Sequence, residues 1–427
     1  MRGTDQMGQG FYILKDAGAV VQITQPYQID TNFSDGSVLR AGAHEVAPWG
    51  SDNLKPQKML KLTYGNHLKP QLIYTGRDFL MGARLGVFRR IISETGGKKV
   101  LVLEPVIDPQ MEDFLELIDA DTVMRSAAFN LEFSHNYFVV QELNSRRQVS
   151  KITSFDCTDV RASVCRTRQP EKYHIHPDWA SVRPSELQSL PAMDRAELTR
   201  YGQFMQHGRD WTPGQKYYDA PPWWGTEQWT KVSNKIPLFH YNGLENGYNV
   251  KYHIKIPANY FDQFGPDQAK MRAAERQLVD SMNEMLGGVE NVDKAFVSKF
   301  MIDPVTSLAL PGWSIEPIAN NMSDTAYDSV NTQANIAHTS GHGLDPSLAG
   351  IETGGKLGGS GSEKRISYQL HIALRTPNKR KLLLNIFNTA ARINGYDREL
   401  VFGIEDIDIT TLAENKSGTE SKTTATK

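Results

Sequence analysis

Cysteine and net charge are both scarce in this 427-residue sequence. Its two cysteines, Cys157 and Cys165, are too few for a disulfide framework and lack a partner pair of the zinc-binding type, so both are predicted to be free thiols. The formal net charge is -2, whereas proteins that grip nucleic acid through its phosphates carry a strong basic excess. Any DNA partner is therefore expected to be touched only weakly.

Long apolar runs are also missing. No window approaches the roughly 18 uninterrupted apolar residues of a membrane-spanning helix, and residues 1–30 carry Asp and Gln where a signal peptide has an apolar block. Both absences argue against a membrane-spanning chain and against secretion by that route. The hydrophobic share of 39% is enough for an ordinary core, and the length predicts about two to three domains or one elongated subunit with lobes.

A nucleotide-binding motif begins but is not completed. Residues 350–357 match a phosphate-binding loop up to its lysine, Lys356. Leu357 then stands where the magnesium-binding hydroxyl is required, and Gly358 and Gly359 follow where the helix should start. A flexible glycine loop is the preferred interpretation.

Two histidine pairs have metal-ligand spacing without the rest of a site. His174 and His176 would share one face of a strand, and His338 and His342 are four apart, as in a zinc-binding helix. Asp178 lies close to the first pair, but the remaining histidines supply no paired motif near enough in sequence to complete a closed site. In the second pair, Thr339 stands where a zinc protease has its glutamate. Polar surface or interface histidines are the preferred interpretation, and no catalytic, cofactor-binding or metal-binding residue is assigned.

Start and stop signals predict the helices of the first half. A helix begins near residue 54 after a cap at Asp52 or Asn53, and a second runs from about residue 70 to Gly82. Asp108, followed by proline, predicts the start of a third helix, and the pattern at 121–133 predicts a fourth.

Alternating apolar residues predict antiparallel sheet beside these helices. The first hairpin pairs residues 85–92 with 100–103 around Gly96 and Gly97, and the second pairs 137–143 with 149–155 around a polar turn. A short strand is also expected near 19–23. The first half is therefore predicted to be α+β.

Residues 166–235 are rich in Pro, Trp and polar residues and are interpreted as an irregular, surface-forming insertion. One helix is expected within it, at about 196–207. Trp223, Trp224 and Trp229 are interpreted as anchors of an interface, in preference to a platform that stacks on bases.

The second half predicts a helix pair that brackets a small sheet. The elements expected are a long helix at 265–287, strands at 251–256, 295–302 and 313–318, a helix at 323–338, a helix from the Ser360/Glu363 capping pair to a break at Thr376-Pro377, its continuation to Asn394-Gly395, and a strand at 400–409. Residues 341–362 include eight glycines, too many for regular structure.

Three segments in this half resemble the portal proteins of tailed bacteriophages. Residues 334–338, 344–351 and 359–363 are similar in order and composition to the family's stem helix, its "hG(v/l)pPsL.Gi" segment and its Gly/Ser-rich stretch. In the first half, residues 136–140 resemble the family segment "N.y..i". The resemblance covers about 130 C-terminal residues and is patchy before them.

The resemblance implies an α+β portal-like subunit with an α/β wing, a two-helix stem and a small β-containing clip module. The implied regions are an N-terminal arm (1–48), the wing (49–264, with the irregular insertion 166–235), stem helix 1 (265–287), the clip (288–322), stem helix 2 (323–343), a glycine-rich tunnel loop (344–361), the C-terminal wing helices and strand (362–412) and a disordered tail (413–427).

The implied function is that of a non-enzymatic subunit in a ring of twelve copies at the capsid vertex of a virion, assembled in the host cytoplasm, through which DNA is packaged and ejected. The implied partners are further copies of the chain, the terminase large subunit, the major capsid and scaffold proteins, a head-tail adaptor and weakly bound double-stranded DNA, with no membrane. The loop residues expected near DNA are Leu344, Gly354, Gly355, Lys356, Gly358, Gly359 and Ser360.

Two alternatives stay open. One is another virion or scaffold protein without a channel. The other is a metal- or nucleotide-dependent enzyme built on His174 and His176 or on the Lys356 loop.

Overall fold

The structure is a computed structural model that describes residues 4–6, 11–14, 19–22, 33, 38–41, 44–95, 98–165, 169–246, 252–255, 269–274, 276–277, 280, 314–317, 327–351 and 361–407. Helices and antiparallel strands are interleaved along these residues, which confirms the predicted α+β class. The division into wing, stem and clip stays a prediction. Among the described residues, no helix has both the length and the apolar character needed to cross a membrane.

Eight helices are described with both ends. They are α1 Lys55–Tyr64, α2 Lys69–Met81, α3 Pro109–Leu117, α4 Ala120–Ser134, α5 Glu227–Asn246, α6 Asp328–His342, α7 Gly361–Arg375 and α8 Pro377–Asn394. Short 3₁₀ turns lie at Pro184–Glu186 and Pro222–Thr226. Residues 269–274, 276–277 and 280 are also helical, inside the predicted stem helix 1.

All the described strand ladders are antiparallel. The strands are β1 Thr4–Gln6, β2 Phe11–Leu14, β3 Ala19–Gln22, β4 Leu39–Ala41, β5 His44–Val46, β6 Arg84–Thr95, β7 Lys98–Pro105, β8 Asn136–Leu143, β9 Val149–Phe155, β10 Val160–Ala162, β11 Lys172–Ile175, β12 Gln188–Pro191, β13 Gln203–Arg209, β14 Tyr252–Lys255, β15 Ser314–Pro317 and β16 Leu400–Glu405. The sheet orders are β1-β2-β3, β4-β5, β16-β6-β7, β13-β8-β9, β10-β11-β12 and β14-β15.

Strand β8 separates two hydrophobic cores. Because side chains alternate along a strand, Tyr137 and Val139 enter a core built with α3, α4, α8 and β16, while Phe138 and Val140 enter a second core built with α1, α2 and β10–β13. Both faces of β8 are therefore buried, and its neighbours are held in place from both sides.

Local signals account for most helix ends, as predicted. The Asp108 side chain accepts a hydrogen bond from the Met111 backbone N–H at 2.9 Å and starts α3. Pro377 lies in the first turn of α8 and separates it from α7, and Gly395 ends α8 with a φ of 78°. Both predicted hairpins of the first half are also confirmed, as β6–β7 and β8–β9.

The predicted cap of α1 is wrong. The residue before the helix is Leu54, which makes no side-chain cap. Asn53 instead has a φ of 62°, and its Oδ1 accepts hydrogen bonds from the Trp49 backbone N–H at 3.0 Å and from Arg161 Nε at 2.7 Å. A buried guanidinium requires hydrogen-bond acceptors. The side-chain oxygen of Asn53 therefore binds Arg161 inside the core and does not cap α1.

The helix predicted at 196–207 is also wrong. Asp194 forms a turn there, since its Oδ1 accepts from the Ala196 backbone N–H at 2.9 Å, and the strand β13 follows. β13 pairs with β8 along its whole length, from Gln203↔Glu142 to Arg209↔Asn136. An open edge of β8 outweighs the weak helical preference of this segment.

The segment 166–235 is neither irregular throughout nor mainly surface-forming. It supplies β11, β12 and β13, and Tyr217, Tyr218, Trp223 and Trp224 are buried in the second core. Trp223 and Trp224 therefore anchor the inside of the subunit, against the interface role predicted for them, while Trp229 is 40% exposed.

Several predictions fall outside the described residues. These are the strand at 295–302, most of the helix at 265–287, the glycines between 352 and 360 and the tail 413–427. Of the predicted clip, the described strand β15 pairs with β14, from Tyr252↔Pro317 to Lys255↔Ser314.

Candidate functional site

The C-terminal half of α6 docks on the body of the subunit. This helix contacts the 3₁₀ turn Pro222–Thr226, α5 and α2. Its residues Ala334, His338 and Thr339 have no exposed surface. The helix that the sequence assigns to the stem is therefore held at its C-terminal end by the 3₁₀ turn, α5 and α2, and Trp223 connects this contact to the second core.

Gly341 sets how closely α6 approaches the body. A Cβ at this position would lie 2.6 Å from Cγ2 of Thr226 and 3.4 Å from Cα of Trp223. A larger residue therefore requires either the Thr226 side chain or the helix to move. We call the residues Lys69, Trp223, Thr226, Gly341 and His342 the joint.

Lys69 is the buried cation of the joint. Its Nζ donates a hydrogen bond to Oγ1 of Thr226 at 2.8 Å, lies 3.4 Å from Nε2 of His342 and lies 4.4 Å from the centroid of the Trp223 ring. Burial lowers the pKa of Lys69 to about 7 because the charged form loses its hydration. The aromatic face and the hydroxyl compensate for part of that loss.

The two histidines of α6 are held neutral. His342 stacks on Trp223 with ring centroids 5.7 Å apart, and burial, together with Lys69, depresses its pKa well below the usual value. Burial lowers the pKa of His338 to about 3, with Lys69 adding to the effect, and both ring nitrogens of His338 lack a hydrogen-bond partner. Lys69 is fully buried, and its contacts connect α2 to the 3₁₀ turn and to α6, so the joint holds these three elements together.

A cavity of about 300 Å³ lies beside the joint, between α2, α4, α6 and the α7–α8 bend. On its wall the Lys379 ammonium donates to both carboxylate oxygens of Glu132 at 2.8 Å. His135 lies with Nδ1 3.6 Å from the Asp210 carboxylate. Burial lowers the pKa of His135 to about 3 and that of His371 to about 4. The polar lining suits ordered water.

The predicted tunnel loop starts from a fixed point. Gly343 and Leu344 complete a Schellman motif, with the Leu344 N–H donating to the Thr339 carbonyl and the Gly343 N–H donating to the Ser340 carbonyl, both at 3.0 Å. Leu344 is buried, at 5% exposure, so within the subunit its side chain anchors the loop. Gly354, Gly355, Lys356, Gly358, Gly359 and Ser360 lie outside the described residues, and the loop's role at DNA stays a prediction.

The turn after Leu344 ties the loop to α7. Asp345 Oδ1 accepts from the Ser347 backbone N–H at 2.8 Å, and Asp345 Oδ2 accepts from the Ser367 hydroxyl at 3.1 Å. The Ser347 hydrogen bonds are the main reason that the pKa of Asp345 is lowered. The loop therefore leaves the body with a defined direction.

The other histidine pair is divided between two environments. His174 Nδ1 lies 2.8 Å from Ser189 Oγ, and its ring is 5.1 Å from that of His44. His176 Nδ1 accepts from the Asp178 backbone N–H at 3.0 Å. Over the residues that the structure describes, no group of three His, Cys, Asp or Glu side chains is placed to hold a metal ion. Cys157 and Cys165 are free and buried, as predicted.

Neither protein-family models nor curated protein sequences match this chain. Several solved structures, in contrast, are similar to it. A chain in the virion of a native gene transfer agent (GTA) particle is similar with a TM-score of 0.55 at 12% identity, over 85% of this chain and 88% of that one. A chain in the neck of a native GTA particle, computed with C12 symmetry, has a TM-score of 0.55 at 12% identity, over 88% and 90%.

A third structure, the neck of an empty GTA particle computed with C6 symmetry, is similar with a TM-score of 0.52 at 12% identity, over 85% of this chain and 88% of that chain. At this identity the likeness is one of fold. The chain thus has the fold of a subunit found in the necks of these particles, which agrees with the resemblance to portal proteins carried by residues 334–363.

Proposed function

We propose that this chain is the repeating subunit of a portal ring at the head-tail junction of a virion or a similar particle. The observation that carries the proposal is the fold shared over 88% of the chain with a subunit of a particle neck computed with C12 symmetry. That symmetry supports a ring of about twelve copies, in which each copy would make head-to-tail contacts that close.

The exposed surface of the single subunit supports an assembled state. On α7, Ile366, Leu370 and Leu374 recur every fourth residue and are 54%, 55% and 73% exposed. Apolar stripes of this kind mark surfaces that another chain covers. The net charge of -2 suits a channel that passes DNA, because each neutralised phosphate would add an anchor that opposes movement.

In this proposal the chain does not hydrolyse nucleotides. It conducts DNA and docks the terminase, the capsid and scaffold proteins and the head-tail adaptor. The tunnel loop from Leu344 to residue 361 would come closest to DNA, as the resemblance to portal proteins implies.

Negative-stain imaging of the purified full-length chain, with light scattering for mass, tests the proposal. We expect rings with a central hole and a mass of about twelve subunits. Particles without a hole would favour a virion or scaffold protein lacking a channel. A chain that stays monomeric up to about 100 μM, and is absent from particles when expressed with its neighbours, would overturn the portal proposal.

A further inference from the structure

The hairpin β6–β7 projects beyond its sheet. The third strand, β16, pairs with β6 only from Arg84↔Glu405 to Arg89↔Leu400. The Arg90 backbone N–H still donates to the Glu399 carbonyl, whereas residues 91–95 of β6 have β7 as their one neighbouring strand in the described sheet. A two-stranded ribbon is marginally stable in water, and an apolar edge strand invites pairing or docking.

Both faces of this ribbon are apolar and exposed. On the outer face Ile92 lies opposite Leu101 and Arg90 opposite Leu103, with Ile92 72%, Leu101 63% and Leu103 47% exposed. On the other face Val100 and Val102 are 47% and 38% exposed. We call Arg90, Ile92, Leu101 and Leu103 the ribbon face.

Helix α3 lies on the opposite side of the same sheet. Phe114 of α3 stacks on Phe402 of β16 with centroids 6.4 Å apart, inside the first core. The exposed side of α3 therefore points away from the ribbon face. Two surfaces on opposite sides of one subunit can meet head to tail around a ring without blocking closure.

The exposed side of α3 complements the ribbon in charge and character. Residues 108–121 contain six acidic residues and no basic one, whereas residues 89–104 contain four basic and two acidic residues. Within the ribbon, Glu94 lies opposite Lys99 and Glu104 opposite Arg89. Arg90, on the ribbon face, lies opposite Leu103 of β7, and on its other edge its backbone N–H donates to the Glu399 carbonyl at 3.0 Å. Among the described residues its guanidinium makes no ion pair.

On α3, Asp113 and Glu116 are exposed beside Leu117, which is 67% exposed. We call these three residues the acidic helix face. Each of the two faces therefore combines exposed apolar side chains with charge, and the charges are opposite in sign.

We propose that the ribbon face of one copy docks on the acidic helix face of the next copy, so that its partner is a second copy of this chain. The apolar side chains supply the buried area, and Arg90 meets Asp113 and Glu116. The inference rests on the proposed ring, and it assigns the surfaces that join its subunits.

Charge reversal in both partners tests the pairing. Arg90→Glu with Lys99→Glu is expected to lower the fraction of chain in rings at least about tenfold, as is Asp113→Lys with Glu116→Lys, because like charges then oppose each other. The chain carrying all four substitutions is expected to recover to within about twofold of the wild type. Light scattering and negative-stain imaging measure the ring fraction, and circular dichroism of the monomer checks the fold.

Arg146→Glu with Arg147→Glu is the matched control, because it reverses two exposed arginines at the tip of the β8–β9 hairpin. It is expected to leave the ring fraction unchanged within about twofold. Rings that survive the Arg90 and Lys99 reversal, or a fourfold variant that does not recover, overturn this interface while the ring stands. A wild type that forms no rings instead overturns the proposed function first.

Discussion

The two hairpins β6–β7 and β8–β9 look alike in sequence and differ in surroundings. β8 is covered on both faces by two cores and paired along both edges with β9 and β13. β7 is a sheet edge whose apolar residues face solvent. The run Val100-Leu101-Val102-Leu103 has the composition of a strand buried on both faces. A strand with that composition and no cover in the single chain indicates cover by another chain.

The largest expected effect is the loss of stability caused by a cavity beside the buried hairpin β8–β9. Phe138 is fully buried, with its ring 4.3 Å from that of His207 and 6.1 Å from that of Trp49. Phe138→Ala is expected to lower the free energy of unfolding by about 3–5 kcal/mol, since the cavity cannot refill. Urea denaturation of the monomer measures the loss.

The matched substitution in the ribbon is Leu101→Ala, which is expected to change the monomer's stability by no more than about 0.5 kcal/mol. A loss similar to that of Phe138→Ala would show that the ribbon is already packed in the isolated chain. The contrast between the hairpins would then disappear.

The next prediction uses the pH dependence of stability to distinguish the β6–β7 hairpin from α6. Residues 84–105, which form the β6–β7 hairpin, contain no histidine, whereas His338 is buried on α6, one turn before the joint residue His342. The unfolded chain protonates His338 below about 6.5, while the folded chain does so only near 3. Stability is therefore expected to fall as the pH drops from about 6.5 toward 3, at up to about 1.4 kcal/mol per pH unit for this residue.

His338→Leu should remove that contribution, because neither ring nitrogen has a partner to lose. The difference in the free energy of unfolding between variant and wild type is measured at pH 7.5 and at pH 5. It is expected to shift by about 2 kcal/mol in favour of the variant at the lower pH. Urea titrations at both pH values measure this. Parallel pH profiles for the two proteins would mean that His338 is protonated, or exposed, in the folded chain.

The smallest expected effect tests whether β16 is held as firmly as the body of the subunit or only as loosely as the ribbon. Two asparagines of α8 pin the two sheets: Asn394 Oδ1 accepts from the Val149 backbone N–H at 2.7 Å, and Asn388 Oδ1 accepts from the Phe402 backbone N–H at 2.9 Å. Asn394→Ala and Asn388→Ala are each expected to cost about 1 kcal/mol, measured as a shift in the urea midpoint. If Asn388→Ala alone leaves the free energy of unfolding unchanged, β16 is not held by α8 and belongs structurally with the ribbon.

Local chemistry explains which parts of the fold could be predicted. Asp108, Pro377 and Gly395 act on their own neighbours, so a cap, a break and a stop are visible in the sequence. The strand β13 depends on an open edge of β8 about sixty residues earlier, and the helix predicted in its place ignored that partner. The burial of Trp223 depends likewise on a core assembled from distant segments.

The contacts of the joint were even harder to predict from the sequence than the position of β13. Lys69 meets Thr226 from 157 positions away and His342 from 273, and no local motif in the sequence indicates these contacts. The sequence pattern predicted a helix at 323–338 and the resemblance extended it to 343; α6, at Asp328–His342, confirms a helix in this region. The residues that hold it could be found only from the tertiary structure, since a lone lysine or tryptophan has no periodic signal.

The missing side chain at Gly341 has a mechanical consequence. Rotation of α6 that brought a larger side chain to this position would be opposed by steric contact with Thr226 and with the Trp223 backbone. A force applied to the N-terminal part of α6 would therefore be transmitted to the body through this contact and through the stacked rings of His342 and Trp223.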